Sequence, residues 1–254
     1  MQKDQKLTQK TVSIVMKKVV IAIPAYNEAD NLERNILHIN KVLSQKKVLF
    51  NWEIIIAENG STDKTYEIAK KLARNYKRVK ATHYDRGSKD NAIIETWLKS
   101  KVDIMIFTDA DNSADPRYIL DLVKTIEEGS DIATGYRFHT KLNSRGLYRD
   151  TISRIYNNII LPTILPTGTN DTQCGFKAIN KKVLREVVPK LSRQNGFFDT
   201  ELLGVAFHKG FKIKEVPITW KETRKSVLSV NKNIPNFLKN LLRTRIKLAR
   251  GGYD

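Results

Sequence analysis

Two aspartates at the end of an apolar run are the residues best suited to chemistry in this sequence. Asp109 and Asp111 follow Ile104–Thr108, with Ala110 between them. In an extended segment residues i and i+2 point to the same side, so the two carboxylates are expected to converge just beyond the strand. Convergent carboxylates suit a hard divalent cation that also holds phosphates, such as Mg²⁺ or Mn²⁺. The alternative interpretation is two loop acids ahead of a helix capped by Asp115.

Two more polar segments follow apolar runs earlier in the chain. Residues 24–28 read Pro-Ala-Tyr-Asn-Glu after the run 19–23, and residues 58–65 read Glu-Asn-Gly-Ser-Thr-Asp-Lys-Thr after the run 52–57. Ligands of parallel sheets bind at the carboxyl ends of the strands. Both segments are therefore expected at the same sheet edge as Asp109.

Short runs rich in Ile and Val alternate with helical patterns, and these elements must position the polar segments. Predicted strands cover 19–23, 52–57, 79–84, 104–108 and 132–135, and predicted helices cover 29–43, 63–75, 91–99 and 116–128. This alternation predicts an α/β domain with a mostly parallel sheet flanked by helices. From residue 145 the pattern is less regular, with a helix to about 160, a loop over 161–170 and mixed elements to 220.

Composition excludes several classes of protein. The chain has 254 residues and a formal net charge of +18. Its longest apolar runs are about five residues, far below the roughly 20 needed to cross a bilayer, and the N-terminal segment lacks a signal-peptide core. The single cysteine, Cys174, excludes an intramolecular disulfide and fits a reducing compartment. We therefore expect neither a membrane-spanning nor an exported protein.

The positive charge is concentrated at the two ends. Residues 1–18 hold five Lys against one Asp, and residues 221–254 hold nine Lys/Arg against two acids. In the tail, apolar residues have helical spacing: Ile234, Phe237, Leu238, Leu241, Leu242 and Ile246. Lys239, Arg243 and Lys247 lie opposite. This pattern favours a helix over 234–250 on an anionic membrane surface, with docking on the domain core as the alternative. Motifs typical of nucleic-acid binding are absent, so no nucleic-acid partner is expected.

The order of the motifs resembles a known family. Pro-Ala-Tyr-Asn-Glu, the Gly-Ser-Thr-Asp turn and Asp-Ala-Asp resemble the family 2 glycosyltransferases with a GT-A fold, which bind a nucleotide-sugar and a divalent metal. Segments 135–137, 171–177, 198–203 and 216–220 resemble the dolichyl-phosphate glucose and mannose synthases. The resemblance covers about residues 17–230. It implies a GT-A-like domain over 17–230, and the basic arm over 1–16 and the amphipathic helix over 231–254 lie outside it.

The resemblance also implies roles for individual residues. Asp109 and Asp111 would bind the metal, Mg²⁺ or Mn²⁺. The nucleotide-sugar would be bound by Pro24, Ala25, Tyr26, Glu28, Glu58, Gly60, Lys89, Asp109, Ala110 and Asp111. The acceptor phosphate would be held by Arg137, Arg149 and Ser153, with Asp111 and Arg137 as the catalytic residues. Gln173 and Asp199 are candidates for an acceptor contact or a base.

The sequence departs from the family pattern in two segments that would bind the nucleotide-sugar donor. Glu58-Asn59 stands where the family usually has paired aspartates, and residues 86–92 lack most of the glycines of the family's basic loop. Lys89 is the one residue of that loop to which the family's role can be assigned. The four histidines lack metal-ligand spacing and are interpreted as surface or packing residues, and Cys174 is interpreted as a contact or packing residue.

The resemblance implies inverting transfer of a sugar from a UDP-glucose- or GDP-mannose-type donor to a polyprenyl or dolichyl phosphate, at the cytoplasmic face of a membrane. A phosphate with a pKa of about 6 is already largely anionic at pH 7, so no general base is required. A second hypothesis is transfer to a sugar or lipid hydroxyl with Asp199 as base, although Asp199 also fits a cap of the helix over 200–209. A third is an inactive membrane-surface scaffold on the same fold.

Overall fold

The computed structural model describes residues 16–45, 48–85, 88–137, 151, 155–193, 196–221 and 230–254, with side chains from 235 onward in the last segment. Within these ranges seven strands form one sheet: β1 (Lys18–Ala25), β2 (Asn51–Glu58), β3 (Val79–His83), β4 (Ile104–Thr108), β5 (Ile132–Tyr136), β6 (Phe176–Asn180) and β7 (Ile213–Pro217). Their spatial order is β3-β2-β1-β4-β6-β5-β7. Only β6 runs antiparallel to its neighbours in this sheet. The predicted mostly parallel α/β fold is confirmed.

Helices flank the sheet on both faces. The helices are α1 (Leu32–Gln45), α2 (Thr65–Asn75), α3 (Lys89–Lys99), α4 (Ile119–Glu127), α5 (Leu161–Ile164), α6 (Lys181–Glu186), α7 (Phe198–His208) and α8 (Val230–Ala249). Short 3₁₀ turns cover Pro116–Tyr118 and Val188–Lys190, and a π-helical turn covers Tyr156–Ile160. Proline at the start of the first 3₁₀ turn and Asp115 as its cap agree with the predicted helix start.

Alternation along β1 divides the core between the two sheet faces. Ile21 and Ile23 pack with the apolar stripes of α1, α2 and α4, whereas Val20 and Ala22 pack with α3, α6, α7 and α8. Successive strand residues point to opposite faces, and both faces of this strand are covered. A strand buried on both sides therefore has a continuous apolar sequence, as β1 does.

The topology brings one unexpected chain segment to the functional edge. The strands β1, β2 and β4 are parallel, so their carboxyl ends share one edge of the sheet. Because β6 is antiparallel to β4, with Thr108 paired to Phe176, the start of β6 lies at that same edge. The sequence predicted only mixed elements here, because the direction of a strand is not encoded in its local pattern.

The C-terminal helix docks on the core. Leu241, Thr244 and Leu248 on α8 are buried, while Leu242 and Ile246 face outward with 52% and 51% of their surface exposed. The apolar stripe predicted as membrane-facing is therefore divided between a core contact and an outward strip. None of the helices in the described ranges has the length and apolar composition that a transmembrane span requires.

Candidate functional site

The loops after β1 and β2 are bonded into one wall. The backbone N–H of Asn27 donates to Ser61 Oγ at 3.0 Å, and the N–H of Thr62 donates to Asn27 Oδ1 at 2.9 Å. The N–H of Glu28 donates to Thr65 Oγ1 at 2.8 Å. Asn27 has a positive φ of 52°, a conformation that Asn tolerates better than most residues. The two predicted loops therefore meet at the sheet edge as expected.

Within this wall the predicted donor-binding residues differ in exposure. Pro24 and Ala25 end β1, Tyr26 projects with 49% of its surface exposed, and Glu28 is buried. Gly60 has a φ of 79°, which a side chain would strain. Of the side chains predicted here, Tyr26 thus presents the open surface for a ligand.

Glu58 is fully buried and carries a partner that the sequence did not reveal. Its Oε1 accepts a hydrogen bond from the N–H of Ser61 at 2.5 Å, and its Oε2 contacts Nδ1 of His83 at the end of β3. The His83 ring also stacks against Tyr66, with centroids 4.9 Å apart. Hydrogen bonding to Glu58 raises the pKa of His83 above its ordinary value, against the opposing effect of burial. His83, interpreted from sequence as a surface or packing residue, belongs to this edge.

The two central aspartates lie in a turn. Asp109 follows β4, and the N–H of Asn112 donates to the Asp109 carbonyl at 3.4 Å, with Asn112 at a φ of 53°. Asp111 Oδ1 accepts from the N–H of Ser113 at 2.9 Å. The expectation of an extended segment was therefore wrong, because the chain turns directly after the strand. Buried Ala110 anchors this turn, since its carbonyl accepts from Asn35 Nδ2 at 2.7 Å.

Asp109 is held between a lysine and a glycine. Lys89 Nζ lies 2.5 Å from Asp109 Oδ1. A Cβ built on Gly175 would lie 2.1 Å from Asp109 Oδ2, so only glycine leaves room for the carboxylate. Burial lowers the pKa of Lys89, but the charges of Asp109 and Asp199 raise it above its ordinary value. Lys89 is therefore a permanent cation at the carboxylate edge.

A second acid–base cluster adjoins Lys89. Lys177, fully buried in β6, donates to Asp199 Oδ1 at 2.7 Å and to the Cys174 carbonyl at 2.5 Å. Asp199 stands in the first turn of α7 after the cap residue Phe197, so it does not cap the helix itself. The capping interpretation of Asp199 is wrong because its carboxylate is committed to Lys177.

Asp90 supplies the acceptor at the start of α7 instead. Its Oδ2 accepts from the N–H of Phe198 at 3.2 Å, which joins α3 to α7. Burial and the charge of Asp199 raise the pKa of Asp90 to about 7, although Lys89 acts in the opposite direction. The sequence did not single out Asp90, because its spacing from Phe198 along the chain carries no local signal.

Arg137, at the end of β5, is engaged by an acid. Its Nε and Nη2 donate to the two oxygens of Asp171 at 2.8 and 2.7 Å in a buried, bidentate pair. The guanidinium also lies 4.9 Å from the Trp220 ring. Arg149 and Ser153, the other predicted acceptor residues, lie outside the described residues. The structure therefore fixes the orientation of Arg137, and the grouping of the three residues stays a prediction.

Two residues of the segment before β6 complete the edge. Gln173 is half-buried and Cys174 is fully buried. Burial raises the pKa of Cys174 to about 12, which keeps the thiol neutral. A neutral, enclosed thiol is a poor nucleophile.

The donor set at this edge suits a divalent cation shared with a substrate. Within the described ranges, no group of three or more His, Cys, Asp or Glu side chains is arranged to hold a metal. Mg²⁺ typically uses one or two carboxylates, with substrate phosphates and water as the other ligands. Asp109 and Asp111 on one turn fit that mode, and they do not fit a closed protein cage.

Comparison with known proteins agrees with this geometry. Residues 20–188 match the family model described as glycosyl transferase family 2. The chain is 30% identical over 230 residues to glycosyltransferase AglD of Haloferax volcanii, covering 89% of this chain but only 37% of that relative. It is 27% identical over 256 residues to the dolichyl-phosphate beta-glucosyltransferase of Saccharomyces cerevisiae, covering 92% of this chain and 75% of the relative.

Another relative and a solved structure extend the comparison. The chain is 29% identical to the dolichyl-phosphate beta-glucosyltransferase of Dictyostelium discoideum, over 91% of this chain and 75% of the relative. Its fold is similar to that of glucosyl-3-phosphoglycerate synthase from Mycobacterium tuberculosis, crystallised with Mn²⁺, UDP and phosphoglyceric acid, with a TM-score of 0.64 and 17% identity. That alignment covers 91% of this chain and 78% of the synthase chain. This chain belongs to glycosyl transferase family 2, and it is a glycosyltransferase.

Proposed function

We propose that this family 2 glycosyltransferase moves a sugar from a nucleotide-sugar to a polyprenyl phosphate of the dolichyl type. The observation that carries the proposal is the placement of Asp109 and Asp111 on a single turn beside Lys89. Relatives named for dolichyl-phosphate glucosyl transfer align with most of this chain, which supports the same acceptor class.

On the donor side, cationic and acidic residues at this sheet edge have different proposed roles. Lys89 places a permanent cation next to Asp109, where a diphosphate would approach. Asp109 and Asp111 would hold a divalent cation, Mg²⁺ or Mn²⁺. The bound cation would offset the negative charge that grows on the leaving diphosphate. Tyr26 presents its exposed ring at the wall formed by the first two loops. Glu58, held by His83 and Ser61, would face the base of the nucleotide.

On the acceptor side, the attacking group needs no protein base. The phosphate oxygen of the acceptor would attack the anomeric carbon as the nucleoside diphosphate leaves, which inverts that carbon. Because this phosphate is already anionic at pH 7, the protein contributes position and charge. Asp171 holds Arg137 in one plane, and a planar guanidinium suits a phosphate group. We assign the acceptor phosphate to Arg137, with Arg149 and Ser153 as its proposed partners.

The experiment is a transfer assay with a panel of UDP- and GDP-sugars, dolichyl or undecaprenyl phosphate, and Mg²⁺ or Mn²⁺. We expect a lipid-phosphate sugar that requires metal and is lost in Asp111→Ala. Asp121→Asn, which changes an exposed acid of α4 outside the site, is the matched control and should keep the activity. Metal-dependent donor hydrolysis without a lipid product would contradict the phosphate acceptor.

The second candidate, transfer to a hydroxyl, depends on Asp199. A hydroxyl acceptor requires a base within hydrogen-bond reach. Asp199 lies in the cluster next to Lys89, but its carboxylate is paired with Lys177. Asp199→Asn decides between the two candidates. Loss of turnover with intact donor binding would favour the hydroxyl acceptor.

We also propose that the outward strip of α8 contacts an anionic membrane surface on its cytoplasmic face. The strip comprises Leu242 and Ile246 with the exposed cations Lys239, Arg243 and Arg250. Exposed apolar residues flanked by cations favour such an interface. The neighbouring segment adds the exposed Ile155 and Ile159, and its Tyr156 ring packs against Phe237 of α8. A membrane contact here would bring the enzyme to a lipid acceptor.

A further inference from the structure

A basic cavity of about 850 Å³ lies apart from the aspartate turn. It begins at the amino ends of β1 and β2, at Lys18 and Asn51, and extends along β3 to Tyr84 and the last turn of α3. The turn of Asp109 and Asp111 stands at the carboxyl end of β4 and contributes no residue to this lining. The cavity is therefore separate from the donor residues described above.

The charge of the lining is almost entirely of one sign. Among the described residues of the lining, a single acid, Glu53, accompanies six cations: Lys18, Lys77, Arg78, Lys80, Lys99 and Lys101. Glu53 is already paired with Lys80, at 2.7 Å. A concave surface lined by one sign of charge concentrates counter-ions of the opposite sign. The cavity therefore attracts anions.

Some of these cations are held in place by neighbouring groups. Arg78 donates to Asn51 Oδ1 and to the Trp52 carbonyl, both at 2.8 Å, and lies over the Trp52 ring. Lys99 lies over the Tyr84 ring, 5.1 Å from its centroid. The contacts of Arg78 position its guanidinium without an ion pair, whereas Lys99 is also paired with Glu95, at 3.6 Å.

Among the described residues, the ammonium groups of three other lining lysines form no ion pair, although the backbone N–H of Lys18 donates to Asp103 Oδ2 at 2.9 Å. In the part of the chain that the structure describes, no carboxylate oxygen lies within 4 Å of the ammonium groups of Lys18, Lys77 and Lys101. Like charges that share a concavity repel one another, and a bound anion would remove that repulsion. Ammonium and guanidinium groups are the protein's main ligands for phosphate oxygens.

We propose that the basic cavity is a second anion site, which binds a small phosphate-bearing molecule such as pyrophosphate or a nucleoside diphosphate. Its volume lies within the range of small-molecule sites, roughly 300–1,000 Å³, and is larger than a single ion requires. Trp52 and Tyr84 in the lining are buried, and their rings support the side chains of Arg78 and Lys99. This inference depends on the lining alone and stands independently of the proposed transfer reaction.

The test is calorimetric titration of the full chain with inorganic pyrophosphate in EDTA, where a metal-dependent donor site is silent. Lys77→Glu/Lys101→Glu should weaken binding about tenfold or more, since it reverses two exposed charges of the lining. Lys41→Glu/Lys181→Glu reverses two exposed lysines outside the lining and is the matched control. The control should retain the wild-type affinity within about twofold.

The following outcomes would overturn the proposal. They are an absence of binding to the wild type, an equal loss in the control variant, and an equally effective competition by sulfate, which would reduce the effect to charge screening. Loss of binding in Asp109→Asn/Asp111→Asn would assign the heat to the donor site and would also overturn it. A parallel titration with UDP distinguishes the sources: affinity equal to that of pyrophosphate indicates recognition of the phosphates alone, and higher affinity indicates an additional contact with the nucleoside.

Discussion

At the scale of residues, the site depends on a close approach between two chain segments. Gly175 precedes β6, and its Cα hydrogen faces the carboxylate of Asp109. The Asp109 N–H also donates to the Gly175 carbonyl, at 3.2 Å. The position of one carboxylate is therefore set by the absence of a side chain 66 residues further along the chain.

Gly175→Ala tests this approach. The added Cβ would displace the Asp109 carboxylate, and displacement of a catalytic group by about 1 Å can cost roughly a hundredfold in rate. We expect kcat of the transfer reaction to fall by about that factor while the circular dichroism spectrum is unchanged. Gly129→Ala is the control, because its Cβ meets no atom within 4 Å and strains only a backbone with a φ of 99°. Normal kcat in Gly175→Ala would show that Asp109 tolerates the shift.

At the scale of elements, Asp90 joins the helix that carries Lys89 to the helix that carries Asp199. Its buried carboxylate accepts from the first turn of α7, and its pKa is about 7, against 3.8 for an ordinary aspartate. An acid whose pKa is higher in the folded than in the unfolded protein stabilises the folded state fully at pH values below the unfolded pKa. This stabilisation is lost as the pH rises through the folded pKa. The contact of Asp90 between α3 and α7 is therefore expected to weaken between about pH 4 and pH 7.

Asp90→Asn removes this titration and retains an acceptor oxygen for the Phe198 N–H. Between pH 5 and pH 8, we expect the wild type to lose on the order of 2 kcal/mol more unfolding free energy than the variant. Urea unfolding followed by tryptophan fluorescence at several pH values measures this difference. Asp121→Asn should leave the pH dependence of the wild type unchanged. Parallel pH profiles for the wild type and Asp90→Asn would contradict a raised pKa at Asp90.

The docked helix α8 gives a second prediction at this scale. Leu241 is fully buried in the core beneath α8, whereas its neighbour Leu242 faces outward. Leu241→Ala should lower the free energy of unfolding by about 2–4 kcal/mol through the cavity it leaves. Leu242→Ala should change it by less than about 0.5 kcal/mol. Equal effects of the two substitutions in urea unfolding would show that the helix is not docked through this face.

At the scale of the whole molecule, positively charged and apolar side chains are exposed together on one side of α8. Removing residues 234–254 would be a poor test of membrane contact, because Leu241, Leu248 and Tyr253 belong to the core. Point substitutions on the outward strip leave these core residues in place. They separate attraction to a lipid surface from folding.

Leu242→Glu/Ile246→Glu should reduce binding to vesicles containing anionic lipid by about tenfold or more, since it places two carboxylates at the apolar contact. Wild-type binding should weaken as salt screens the cations of the strip. Leu49→Glu/Leu98→Glu, at two other exposed leucines, makes the same change in charge elsewhere on the surface. Vesicle sedimentation measures both variants. An equal loss of vesicle binding in both variants would show that the total charge of the protein, and not the strip on α8, determines binding.

The sequence by itself determined the fold class and the edge at which the site lies. Apolar runs buried on both faces, such as β1 and β4, are recognisable locally, and each of the five predicted strands appears with its ends shifted by two residues or fewer. Parallel strands place their carboxyl ends together, so the convergence of the Pro24–Glu28 and Glu58–Thr65 segments with Asp109 followed from order alone.

Only the tertiary structure decided which side chains at that edge are paired. The contacts Lys89–Asp109, Lys177–Asp199 and Arg137–Asp171 join residues 20, 22 and 34 positions apart. The tertiary structure also decided that half of the α8 stripe is covered by core. Local periodicity reports that a residue is apolar or charged, but its partner depends on strand order and direction. The antiparallel β6, which brings Gly175 and Lys177 to the aspartates, is an example of information that the packing of the whole chain supplies.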